Sequence, residues 1–119
     1  MTNEQCIAVA EKVWWWEFDK ARALHTDGLV LLQRTDVDEQ VGLIGLRMDI
    51  ESWQGFGRTL EAMEARGFDL GINYEPFLCF IKGDISIEII WGHKMIKLIE
   101  ATHLAALEAV RKEKEDAEV

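Results

Sequence analysis

Residues 60–91 read LEAMEARGFDLGINYEPFLCFIKGDISIEIIW, and this stretch decides the fold. Gly67 stands where a left-handed residue closes a helix, and Phe68 follows where it can touch Met63, the hydrophobic contact of a Schellman ending. Phe68, Leu70, Ile72 and Tyr74 then alternate with Asp69, Gly71, Asn73 and Glu75, the period of a strand with one solvated face or edge. Pro76 breaks that strand. Phe77–Ile81 is apolar at every position, as in a strand covered from both sides. Lys82-Gly83-Asp84 makes a tight turn, and Ile85, Ile87, Ile89 and Trp91 return as an alternating strand.

Upstream, Asp49 is the expected N-cap of the helix that Gly67 ends, with Trp53, Phe56, Leu60 and Met63 as its apolar stripe and Gly55 and Gly57 as costly interruptions. Downstream, Ile96, Ile99, His103, Leu107 and Val110 recur at three and four residues, which predicts a helix over 94–114. The charged residues 115–119 lose the pattern and are expected to fray. At the other end Thr2 and Gln5 form a capping box, and Cys6, Val9, Ala10, Val13 and Trp14 make the stripe of a helix over 3–22. His25-Thr26-Asp27-Gly28 is turn chemistry. Leu29–Leu32 and Val41–Met48 read as two more strands, with Gly42 and Gly45 marking a bulge in the second. The order predicts one α/β (α+β) domain over residues 1–114. Its architecture would be a three-layer α-β-α sandwich, a mixed sheet of about five strands with helices on both faces.

The 119 residues suffice for one domain with its own core, and 49% hydrophobic with 29% charged residues excludes wholesale disorder. Cys6 and Cys79 are too few and too far apart for a disulfide framework. The opening Met1-Thr2-Asn3-Glu4 has neither a basic nor an apolar leader region, and no apolar run approaches membrane-spanning length, so a cytoplasmic protein is expected. The net charge of −9 sets phosphate against the chain, because the bases are scattered among acids; direct nucleic-acid binding is disfavoured.

Three adjacent indoles, Trp14, Trp15 and Trp16, sweep about 200° of a helix circumference, more than one face can bury. Either the helix ends there or at least one lies on the surface, where tryptophan serves protein contacts. Trp15 is the expected surface residue, since Trp14 continues the stripe of Ala10 and Val13. The alternative is that the three plug the core. His25, His93 and His103 share no metal-ligand spacing with each other or with the cysteines, so no metal or cofactor is expected. His103 reads as a hydrogen-bonded core residue. His93 and Lys94, at a strand-to-helix junction, could meet a small anion, although a solvated cap explains them as well. Gly55-Phe56-Gly57 lacks the spacing of a phosphate loop. No acid/base dyad or nucleophile site stands out, and the chain is not expected to be an enzyme.

Several segments are similar to the phage ABA-sandwich family of small phage and prophage proteins. Ala10-Glu11-Lys12-Val13 resembles the family's opening, which continues with a glycine where this chain has Trp15. Asp49-Ile50 through Trp53 to Leu60-Glu61-Ala62-Met63-Glu64-Ala65-Arg66-Gly67-Phe68 resembles its helix closing on Arg-Gly-aromatic. Ala101-Thr102-His103-Leu104-Ala105-Ala106-Leu107 resembles its terminal helix. The resemblance implies a phage accessory protein in the host bacterial cytoplasm and names no site. Two functions follow. One is binding of a host protein, such as an anti-phage defence effector of the CRISPR nuclease kind, through exposed tryptophan and acidic surface, with a homodimer as the other use of such a surface. The other is sequestration of a nucleotide immune signal, with Trp53, Tyr74 and Trp91 stacking a base and Arg58, His93 and Lys94 meeting phosphate.

Overall fold

The computed structural model describes residues 1–26, 29–34, 39–72, 78–91 and 95–117, of which 18–26, 29–34, 39–41, 43, 72, 95 and 96 are described by backbone alone. The chain is α+β. Among the described residues four helices, α1 Asn3–Ala8, α2 Leu43–Ile50, α3 Trp53–Ala65 and α4 Met95–Ala117, accompany six strands. The strands are β1 Phe18–Thr26, β2 Leu29–Arg34, β3 Glu39–Gly42, β4 Asp69–Ile72, β5 Leu78–Lys82 and β6 Ile85–Ile89. They form two antiparallel three-stranded sheets, ordered β1-β2-β3 and β4-β5-β6, where the sequence pattern suggested a single mixed sheet of about five.

The register of the second sheet explains the difference. Pairing of Leu70 with Phe80 and Phe80 with Ile87 places these three on one face, together with Leu78 and Ile89. That face meets the core, where Phe80 and Ile89 are fully buried. The opposite face carries Asp69, Ser86 and Glu88, all exposed, so no third layer lies over it among the described residues. The second apolar face of β5 has another cause. Gly71 is the cross-strand partner of Cys79, and a Cβ there would stand 2.6 Å from Ile81 Cδ1 and 3.1 Å from Cys79 Sγ. Cys79 and Ile81 occupy the space that glycine leaves.

Helix boundaries differ from the sequence pattern at several points. The expected helix over 3–22 stops far earlier: α1 keeps its Thr2–Gln5 capping box and passes into a π-helical turn, Val9–Val13. Val41–Met48 reads as strand, but residues 43–50 are helical, with Leu46 and Ile50 buried one turn apart and Ile44 and Met48 exposed. Ser52, and not Asp49, caps α3, its Oγ accepting from the Gly55 amide at 3.1 Å. The buried stripe of α3 is Gly55, Thr59 and Met63, which leaves Trp53 outside. Its Schellman ending is as expected: Gly67 has φ +89°, Gly67 N–H donates to Glu64 O at 2.9 Å and Phe68 N–H to Met63 O at 3.0 Å. The last helix runs on to Ala117 without the early fraying, aided by pairing of Arg111 with Glu108 and Glu115. Among the described residues no helix is long and apolar enough to cross a membrane.

Candidate functional site: the tryptophan turn

The three tryptophans occupy the exit of the π-helical turn, and each has a different environment. Trp14 N–H donates to Val9 O at 3.0 Å, five residues back, and Trp16 N–H reaches Ala10 O at 2.8 Å. To return that far the chain must pass through a left-handed residue between them, and Trp15 takes it with φ +59°, the one non-glycine among the described residues to do so. That conformation costs an L-residue roughly 1–2 kcal/mol. It also turns the Trp15 side chain outward, leaving it 57% exposed while Trp14 is 8% exposed. Helical geometry required that the helix end or an indole surface; both occur.

Trp14 enters the core with its polar edge satisfied. Its Nε1–H donates to Thr59 Oγ1 at 2.8 Å, and Thr59 Oγ1 lies 2.8 Å from His103 Nδ1. His103 Nε2 lies 2.6 Å from the Ile50 carbonyl, which can only accept, so Nε2 carries the ring proton and Nδ1 accepts from the threonine hydroxyl. This chain joins the tryptophan turn to α3, α4 and the end of α2. Burial lowers the His103 pKa below its ordinary 6.5, the Ile50 carbonyl opposing, so the ring is neutral. The sequence marked His103 as a core residue; Thr59 was missed, although it stands four residues from both Gly55 and Met63.

Trp15 is held from α3. The Arg66 guanidinium carbon stands 4.3 Å from the Trp15 ring centroid, and its Nη2 donates to the Lys12 carbonyl, one of the last in the π-helical turn. Arg66 in turn faces Glu113 at 4.0 Å. Lys82 Nζ donates to the Arg66 carbonyl and to Glu113 Oε2, each at 2.6 Å. Burial lowers the Arg66 pKa, and Glu113 offsets part of that. An exposed indole is thus fixed by a cation that is itself fixed. Beside it, α1, the π-helical turn and α4 enclose a hollow of about 700 Å³ lined by Ala8, Lys12, Trp15, Leu107, Val110 and Lys114 among others.

Of the candidates for a nucleotide site, the described ones each have other neighbours. Arg58 pairs with Asp49 at 3.0 Å and lies 5.6 and 5.3 Å from the Trp14 and Trp16 rings, which themselves pack 5.1 Å apart. Trp53 is exposed and set edge-on to Phe56 at 5.3 Å. Trp91 lines a separate hollow between β6 and α4. Tyr74, His93 and Lys94 lie outside the described residues. Among the described residues no group of three or more His, Cys, Asp or Glu side chains could hold a metal ion. No family model, no curated protein and no solved structure matches the chain.

Proposed function

We propose that this chain is a non-enzymatic accessory protein that acts by binding another protein, with Trp15 as the centre of the contact. The observation that carries the reading is an indole 57% exposed, in a left-handed backbone conformation, under the guanidinium of Arg66. Backbone strain of this kind concentrates at functional positions. A pre-fixed tryptophan loses little freedom on binding, and such residues supply much of the energy of protein contacts. The apolar hollow beside it, floored by Leu107 and Val110, gives a partner side chain somewhere to go.

With the resemblance to the phage ABA-sandwich proteins, the partner is a protein of the bacterial host, met in the host cytoplasm, and a defence effector such as a CRISPR nuclease is a fitting target. The test is capture from host-cell lysate on immobilised wild type and on Trp15→Glu, with sedimentation of the free chain to detect a homodimer. A host protein retained by wild type and lost with Trp15→Glu supports the reading. Equal retention by both removes Trp15 from the contact, and a dimer abolished by the substitution replaces the host partner with a second copy.

A further inference from the structure

A second surface lies on the other flank of α4. Leu104 and Glu108 line both hollows, so α4 separates the Trp15 side from a hollow of about 760 Å³ bordered by β6. Among the described residues β6 is the edge of its sheet. The hairpin that leads into it fixes which backbone groups are spent. Gly83, at φ +59°, is the first central residue of a two-residue turn, and Lys82 pairs with Ile85 across it. That closing pair exchanges hydrogen bonds, as do the alternate pairs Phe80 with Ile87 and Leu78 with Ile89. The N–H and C=O groups of Ser86 and Glu88 therefore point away from β5, and both residues are exposed.

Beside this edge, α4 faces the same hollow. Ala101 and Leu104 line that hollow as a floor on which a further strand could lay alternate side chains, and Ile90 stands 66% exposed. Of the acidic residues in the lining, Glu100 pairs with the N-terminal ammonium and Glu108 with Arg111, while Glu88 stands exposed on the edge strand of a chain whose net charge is −9. We propose that the β6 edge and the adjoining face of α4 bind an extended, basic segment of a partner protein by strand addition. Its backbone pairs with Ser86 and Glu88, its alternate apolar side chains rest on Leu104 and Ala101, and its cations, on the opposite face, meet the Glu88 carboxylate. A second copy fits poorly: each chain carries a net charge of −9 and would bring its own Glu88 to the shared edge.

The test uses the full chain, labelled with 15N, titrated with a synthetic peptide of alternating lysine and valine and with its glutamate–valine counterpart. Saturable shifts and slowed hydrogen exchange at the Ser86 and Glu88 amides with the basic peptide alone are expected. Ser86→Pro removes an outward N–H without touching the β5–β6 ladder and should weaken binding about tenfold with the melting temperature little changed. Ile90→Lys should weaken it independently. Trp15→Gly should bind the peptide as wild type does, which separates this surface from the Trp15 contact. The proposal is overturned by no saturable shift at those two amides, by equal binding of the acidic peptide, or by shifts that follow chain concentration without peptide, the mark of a second copy.

Discussion

The hydroxyl of Thr59 and Nδ1 of His103 lie 2.8 Å apart, and this bond holds a buried imidazole in its neutral, Nε2-protonated form. In the folded chain burial depresses the His103 pKa, whereas an unfolded histidine takes its proton near 6.5. Below pH 6.5 the unfolded state therefore binds a proton that the folded state refuses, and stability falls as pH falls toward the folded pKa, then levels. The contribution is fully present only above the unfolded value. Between pH 7 and 5.5 the stability should decline by up to about 1.4 kcal/mol per pH unit, a slope that His103→Gln should remove in urea titrations across that range. Thr59→Val strands the Trp14 indole N–H and His103 Nδ1 together and should cost about 2 kcal/mol or more at pH 7.5.

Gly55 and Gly57 look alike in sequence and differ in structure. A Cβ on Gly55 would overlap the Asp49 carbonyl, backbone that cannot step aside, whereas a Cβ on Gly57 meets nothing within 4 Å. Gly55→Ala should destabilise by about 3 kcal/mol through forced separation of α2 from α3. Gly57→Ala should stabilise by up to about 1 kcal/mol, because alanine is the better residue inside a helix. Paired thermal melts check both signs at once.

Gly67 supports the C-terminus of α3 in a conformation other residues resist, with φ +89°. Gly67→Ala should lower stability by roughly 1 kcal/mol. Space is not the obstacle, since the nearest atom to a Cβ there is Lys82 Cε at 3.4 Å, so the loss should be one of backbone strain, and Gly67→Asn should restore part of it. Urea midpoints of the three proteins give the order.

The parts of this fold that were legible in the sequence are those fixed by adjacent residues. The capping box of Thr2 and Gln5, the Schellman ending at Gly67 and the hairpin at Gly83 each depend on one residue's geometry and its nearest neighbours. What could not be read depends on partners far along the chain. Nothing local in Val13-Trp14-Trp15-Trp16 announces a left-handed residue, since the strain at Trp15 is held by Arg66, fifty-one positions away by residue number. Gly55 read as a flaw in a helix because its reason is the Asp49 carbonyl of the preceding helix. The i, i+4 signal of Leu46 and Ile50 was present and was overridden by the β-branched and apolar look of Val41–Met48. At the site, the exposure of Trp15 followed from helical periodicity alone, while the Trp14–Thr59–His103 chain required three elements to be placed first.

The central claim is that Trp15 occupies a strained surface position for contact and not for folding, and the unfolding free energy of Trp15→Gly tests it most directly. Glycine takes the left-handed conformation freely, relieving roughly 1–2 kcal/mol, while loss of the Arg66–indole contact costs about 0.5–1 kcal/mol and glycine's added chain entropy a similar amount. The account predicts a urea unfolding free energy, followed by circular dichroism, within about 1 kcal/mol of wild type. A drop of about 3 kcal/mol or more, the usual cost of removing a buried tryptophan, would show that the indole plugs the core and would contradict it.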